Sequence, residues 1–520
     1  MSTKKHLIKS TTIISLSTIL SRIFGFIRDM IIAKFLGTGL VADAFLASFS
    51  IPNMLRHLMG EGVLSAGLVP VFTESIEKKG KQDTNALMNS VFWMILLVSI
   101  FITLAVVFFT PFLVKLVVPG FISSPEKLNL TIKTTRFLMP YLIFIGLSSW
   151  IIGILHSYKH FFIPAISSAV FNFGIIISSL FLGIFFHRPL EGIVAGVVLG
   201  GIMQVLVQWP LLFRSGFEIQ FIFWHPSIKR IIKMVGPAVF ALAVTEINIA
   251  VTRIFASSAS LAGEGAISIL YYASRLIQLP MGIFTAAIST AILPTLSSQF
   301  IEGDIEKVKL TVFYAFRFAL FIVIPAATGL IVLRVPIIRL LFERGAFGPA
   351  ATQQTASALL FYSAGILGYA GVKIITPVFY SLGDTFTPAK IALTMLGTSV
   401  LLDFILVRMM KFPGLALSVS ISNFIQLALL IIFLKKKIGA MGFKNILLPL
   451  SKVIIISSIM GISCFWLFNF IEKFIVLDLA SQIFEVGICI SSGAIIFLFL
   501  SYIFKLKEME ILKEIIGKRG

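Results

Sequence analysis

The residues of this chain that could do chemistry are ionisable groups set within or beside long apolar runs: Arg22, Arg28, Asp29, Asp43, Arg56, Glu61, Glu246, Arg253, Arg275, Arg317, Lys373 and Asp403. A charge at hydrocarbon depth costs roughly 2.5–3.5 kcal/mol on insertion scales, so each needs a wet cavity, a partner or a span end. Arg28, Arg253 and Arg317 lie where a long side chain could snorkel to an interface. Arg22 does not, because it sits about 12 residues, or roughly 18 Å, into its run.

The densest cluster reads Ser21-Arg22-Ile23-Phe24-Gly25-Phe26-Ile27-Arg28-Asp29. On a straight helix Arg22 and Arg28 point about 120° apart, and a bend at Gly25 would turn both toward one cavity. Arg22 and Asp29 share a face but stand roughly 10 Å apart along the axis, too far to neutralise each other. A second cluster runs from Asp43 through Pro52-Asn53-Met54-Leu55-Arg56-His57 to Gly60-Glu61-Gly62. Proline and paired glycines in one apolar segment predict a bent or broken helix, as where a span lines a binding cavity. Farther on, Tyr271-Tyr272-Ala273-Ser274-Arg275 precedes Pro280. Arg22, Arg56 and Arg275 are therefore expected to form a cationic chamber between two halves of the chain. Arginine's planar fork suits a phosphate-bearing anion. The competing reading is structural: interhelical ion pairs with Asp29, Asp43 or Glu61, which would orient the arginines without cancelling them.

Other chemistry finds little support. No Gly-rich loop ends in Lys-Ser or Lys-Thr, so ATP bound to this chain is not expected as the energy source. The histidines show no ligand pattern, and the two cysteines, Cys464 and Cys489, read as packing residues. The formal charge of +20 comes from dispersed residues, which argues for loop bias rather than nucleic-acid binding.

The elements that must position these charges are membrane spans. Hydrophobic residues make up 58% of the 520 positions and charged residues only 13%, against about a quarter charged in a soluble domain. Apolar runs long enough to cross predict an all-α polytopic membrane protein of about fourteen transmembrane helices. The expected spans cover about 10–36, 40–77, 86–117, 129–157, 161–186, 190–213 and 228–258, then 265–299, 306–333, 350–382, 387–409, 413–435, 444–470 and 477–504. Basic segments at the N terminus, 77–81, 214–233, Lys435-Lys436-Lys437 and the tail from Lys505 fall on one side, so both termini are expected in the cytoplasm. Pro70 and Pro294, Ser157 and Ser381, Phe162 and Phe386, and Pro164 and Pro388 are all 224 apart (294 − 70, for example). A repeat of six spans predicts two pseudo-symmetric lobes, 1–225 and 226–440. The segment 441–520 is left as two extra C-terminal helices and a basic tail. Such repeats suit alternating access.

Ser21-Arg22-x-x-Gly25-x-x-Arg28-Asp29, Asp43-Ala44-Phe45, Pro52-Asn53-x-Leu55-Arg56, Glu61-Gly62 and Tyr271-Tyr272-x-x-Arg275-Leu276 resemble the motifs of the MurJ (MviN) lipid II flippase family. That family belongs to the MOP exporter superfamily, and the resemblance covers essentially the whole chain. It implies that the two extra helices border a groove for an undecaprenyl tail. It also implies that Arg22, Arg28, Arg56 and Arg275 engage the diphosphate of lipid II, with Ser21, Asp43 and Glu61 as further members of the substrate-binding set. His57 and Ser274 depart from residues seen in some members, arginine and aspartate respectively. Some members hold sodium, and by resemblance Asp403 and Ser399, with Glu246, are the candidate ligands, although the twelfth-span ligands are not recognisable.

The implied protein is a transporter of the bacterial cytoplasmic (inner) membrane with no covalent chemistry and no cofactor, driven by sodium or the membrane potential. Its partners would be lipid II, membrane lipids and cell-wall synthesis enzymes, with no nucleic acid. Rival readings are a flippase for another polyprenyl-diphosphate oligosaccharide, a MATE-like drug exporter, and a scaffold protein that has no use for costly buried arginines.

Overall fold

A computed structural model describes residues 3–59, 63–282, 286–439, 447–473 and 478–509, and within them the chain is helical with no strand. The helices are α1 (Thr3–Leu36), α2 (Leu40–Met59), α3 (Val63–Lys78), α4 (Gly80–Val117), α5 (Pro125–Leu138), α6 (Tyr141–Ser157), α7 (Phe162–Leu180), α8 (Pro189–Arg214), α9 (Ser227–Ser257) and α10 (Ala259–Ala262). They continue as α11 (Ala266–Pro280), α12 (Ala286–Ile301), α13 (Ile305–Val332), α14 (Arg334–Phe342), α15 (Pro349–Ala364), α16 (Ile366–Ser381), α17 (Phe386–Met410), α18 (Phe412–Ile438), α19 (Leu447–Ile471) and α20 (Leu479–Ile503).

Among the described residues nine helical segments are long and apolar enough to cross a membrane, ten when the bent pair α15–α16 is taken as one span. The other four expected spans fall on α1, α2 with α3, α9, and α11 with α12, the helices that carry most of the charged residues. The crossing helices expose bulky apolar side chains, including Phe101, Phe108 and Phe112 on α4, Leu401 on α17, Trp466 on α19 and Ile495 on α20. In water such a surface would drive aggregation; against lipid it is solvated. The chain is a multi-pass membrane protein.

Two compact units divide the chain. The first comprises Met1–Ser260 with Glu264–Ser268 and Arg344–Phe347; the second comprises Ile269–Glu343 and Gly348–Gly520 with Leu261–Gly263. The 224-residue offset reappears in the element limits. Pro125 opens α5 and Pro349 opens α15 (349 − 125 = 224), while Phe162 opens α7 and Phe386 opens α17 (386 − 162 = 224). Each half also breaks a span at the matching place: Met139-Pro140 separates α5 from α6, and Gly365 separates α15 from α16 with a 43° bend.

Apolar burial does little to hold helices together when lipid tails are equally apolar, so close packing and small residues must do it. In the first unit, α8 presents Gly192, Gly196 and Gly200 one turn apart toward α7. A Cβ at Gly200 would lie 2.5 Å from the Phe171 carbonyl oxygen, and one at Gly196 would lie 2.8 Å from the Ile175 Cα. In the second unit, Gly365 has no room for a Cβ because Ser420 of α18 fills the break, its hydroxyl donating to the Phe361 carbonyl at 2.6 Å. Cys464 and Cys489 are buried and unbridged, with the Cys464 thiol donating to the Cys489 carbonyl at 3.3 Å. Asp384 of the α16–α17 loop meets Lys437 Nζ, in the last turn of α18, through Oδ2 at 2.5 Å. Burial alone would raise the Asp384 carboxyl, but hydrogen bonds from Lys437 and Thr387 and the lysine charge hold it well below the usual range.

Gly200→Ala and Gly196→Val should each destabilise the protein by about 1–3 kcal/mol, the usual scale of overpacking, and so lower the unfolding temperature in detergent. Gly397→Ala on α17, where a Cβ meets nothing within 4 Å, should leave it unchanged or slightly raised. Equal melting of all three variants would contradict the packing described for α7 and α8.

Candidate functional site

Helix α1 is one continuous helix through Gly25. Gly25 faces α7, where a Cβ would stand in ordinary contact 3.5 Å from Asn172 Nδ2. Arg28 turns into the unit rather than snorkelling. Its Nε and Nη2 donate to Asp29 Oδ1 at 3.0 and 2.7 Å, and its Nη1 donates to Asn172 Oδ1 at 2.9 Å. Asn172 in turn donates to the carbonyls of Ser168 at 3.0 Å and Ser21 at 3.4 Å. The acidic partner of Arg28 is thus its sequence neighbour, Asp29. Arg22 is different: it is exposed, and among the described residues it donates to no protein acceptor.

On α2, Asp43 is 1% exposed and does not pair with an arginine. Its Oδ2 accepts from Lys127 Nζ of α5 at 2.7 Å, and its Oδ1 accepts from the backbone N–H and hydroxyl of Ser268 at 2.8 and 2.7 Å. Arg56 donates through Nε to Asn53 Oδ1 at 3.0 Å and lies with Nη2 2.7 Å from His57 Nε2. A guanidinium only donates, so Nε2 accepts and Nδ1 carries the ring proton. That proton points to Glu246 Oε1 of α9 at 2.7 Å. His57 therefore relays between a cation and a carboxylate, and Glu246 is engaged here within the first unit. Glu61 lies outside the described residues.

In the second unit, Arg275 of α11 stacks over the Tyr271 ring at 4.6 Å. It donates to the Tyr271 hydroxyl at 2.9 Å and to Gln278 Oε1 at 3.0 Å. Ser274, one residue before it, spends its hydroxyl on the Tyr271 carbonyl at 2.8 Å. Arg317 of α13 does not snorkel freely: it pairs with Glu508, just past α20, at 2.5 Å, both nearly buried. Asp403 is fully buried on α17, and Ser399, one turn earlier, donates to the Ser422 hydroxyl of α18 at 3.1 Å. A carboxylate and two hydroxyls are hard oxygen donors of the kind that suits a small cation.

Three partners were not singled out from the sequence. Lys127 stands near the end of an expected span, where lysine is commonplace, and carries no signal. Ser268 is one serine among many. Asn172 did leave a trace, being an amide inside an apolar run, where it must find polar partners.

Two helical units, limits repeated at one offset, and cationic residues on several spans define an all-helical, multi-pass membrane protein. The same fold appears in an inward-facing MATE-family multidrug transporter, with a TM-score of 0.69 over 81% of this chain and 95% of that one at 16% identity. The chain belongs to the family described as lipid II flippase MurJ, which it matches over residues 32–485. Relatives named probable lipid II flippase MurJ include one from Rickettsia prowazekii, 30% identical over 96% of this chain and 98% of its own. Another, from Buchnera aphidicola subsp. Schizaphis graminum, is 30% identical over 95% and 96%. A solved lipid II flippase MurJ in an inward closed conformation superposes with a TM-score of 0.78 at 27% identity, covering 94% of this chain and 98% of that one.

Because Asp43 and Lys127 are both buried, removing one partner leaves the other uncompensated. Lys127→Met should cost about 3–5 kcal/mol, whereas Asp43→Asn combined with Lys127→Met should cost clearly less than the sum of the single changes. Thermal unfolding of the four proteins measures the coupling; strictly additive effects would mean the pair is not an interacting one.

Proposed function

We propose that this chain carries lipid II, the undecaprenyl-diphosphate-linked peptidoglycan precursor, from the inner to the outer leaflet of the bacterial cytoplasmic membrane by alternating access. Family membership over most of the chain supports the substrate. The observation that carries the site is Arg22: a guanidinium deep in a span, exposed within its unit and donating to no described acceptor. A transported anion supplies what it lacks. Arg28 and Arg56, oriented by Asp29, Asn172 and the His57–Glu246 relay, add positive potential in the first unit, and Arg275 contributes from the second. Diphosphate oxygens are the natural acceptors for such forks. Ser21, Asp43 and Glu61 belong to the same set as positioning groups. The lobes that rock are 1–225 and 226–440, with 441–520 bordering the lipid tail, and both termini are cytoplasmic.

Nothing in this scheme needs bond breaking: the headgroup is bound, screened from lipid and released. The segments Glu264–Ser268 and Arg344–Phe347 would have to part from α1 and α2 as the headgroup leaves on that side. They are now held by Ser268 on Asp43 and by the Ala346 N–H on the Lys34 carbonyl at 2.8 Å. Glycines at 37 and 345 allow the latter contact, since a Cβ at either would strike the opposing backbone. Uphill movement would draw on a sodium gradient or the membrane potential. Asp403, Ser399 and Ser422 are oxygen donors that fit sodium, whereas Glu246 is engaged by His57 in the first unit. Cell-wall synthesis enzymes would supply and consume the substrate.

Depleting the protein in a strain without a redundant flippase should remove lipid II from the outer leaflet, measured by its accessibility to an externally added toxin or hydrolase. Undiminished exposure would refute the substrate. Arg22→Ala and Arg275→Ala should each abolish complementation at normal protein levels, and growth with both variants would make the cationic groups incidental. In proteoliposomes, a sodium gradient and a potassium diffusion potential, imposed separately, should identify the driving force. Acceleration by sodium that vanishes in Asp403→Ala is the result expected for the sodium route.

A further inference from the structure

Helix α5 carries cations on two faces. On the inner face Lys127 is buried and ends on Asp43. On the outer face Lys133 and Arg136 are exposed, and among the described residues neither has a carboxylate in ion-pair range. The nearest acidic group on that face, Glu126, stands two turns away from Lys133, about 10 Å along the axis. Arg136 is not adrift: its Nε donates to the Val107 carbonyl of α4 at 3.3 Å, which pins the guanidinium and leaves its terminal amino groups available. Together with Asn129, Ile132 and Phe137, the two cations line an open recess of about 450 Å³.

The depth of this recess can be read along α4. No charged residue occurs in that helix between Asp83 and Lys115. Arg136 meets it at Val107, about 12 Å short of Lys115 along the axis. Phe137 of its own lining and Phe108, Phe109 and Phe112 on α4 are exposed. That uncharged stretch of α4 is about 46 Å long, so a hydrocarbon core of about 30 Å centred on it ends close to Val107, which places the recess where headgroups give way to acyl chains in the leaflet at the C-terminal end of α4. Two cations held there without protein counter-charge are costly unless something anionic joins them.

We propose that this recess binds the phosphodiester headgroup of an anionic membrane lipid. Arg136, Lys133 and Asn129 donate to the phosphate and glycerol oxygens, and the acyl chains lie along the phenylalanines. The recess is open and lined by one face of α5, as suits a headgroup whose chains stay in the bilayer, and the phosphate supplies the charge that the protein withholds. The site is separate from Arg22 and Arg28 and does not depend on the transported substrate.

Phe137→Trp places a reporter at the rim. The full chain carrying it is reconstituted in vesicles containing either brominated phosphatidylglycerol or brominated phosphatidylcholine, and quenching in excess of the Phe137 parent is recorded. Phosphatidylglycerol should bind roughly tenfold more tightly than phosphatidylcholine, a preference two interfacial cations can sustain. Lys133→Gln with Arg136→Gln should bring the ratio to about one, and the single change Lys133→Glu should lower it several-fold if the double variant does not fold. Soluble glycerol 3-phosphate should not displace the lipid; displacement would show that a free phosphate ester is the ligand and would overturn the proposal. An unchanged ratio in the folded charge variants would mean that the two side chains merely snorkel, and the proposal would fail.

Discussion

A charge surrounded by hydrocarbon is tolerable only where protein dipoles or counter-charges take over the work of water. The first unit is organised by that demand. Asp43 collects an ammonium, a hydroxyl and a backbone N–H; Arg28 is satisfied by Asp29 and Asn172; Arg56 reaches Glu246 through an imidazole. Each network crosses between helices, so α1 is bound to α7, α2 to α5, and α2 to α9. Arg22 stands outside this pattern, which is why it carries the functional reading.

Those networks need helices closer together than bulky side chains would allow. Gly192, Gly196 and Gly200 let α8 lie against the α7 backbone that carries Asn172. The packing stripe and the polar contacts are consequently one device. Lipid offers no apolar driving force to press the helices together, and a satisfied polar contact between them is worth more when the alternative is an amide facing acyl chains.

Much of this was legible beforehand. Long apolar runs with few charges can only be spans, and the 224-residue offset recurs in the limits of α5 and α15 and of α7 and α17. The motif residues led to the lipid II flippase MurJ family, of which the chain is a member. The pairing of charges was less visible. Helical spacing keeps Asp29 too far along α1 to pair with Arg22, but it does not reveal the link to Arg28 or the role of Asn172.

Composition and periodicity by themselves determined that this is an all-helical membrane protein, because the cost of exposing backbone or charge to lipid leaves a chain of this kind no other way to cross. The same cost, applied residue by residue, marked Arg22, Asp43, Arg56 and Arg275 as groups with work to do. Only the tertiary structure decided which groups satisfy one another. Ion pairing depends on distances of a few ångströms between residues as far apart in the chain as Asp43 and Ser268 or His57 and Glu246. Helical periodicity orients a side chain about its own axis, but the neighbour that meets it is chosen by how the helices pack.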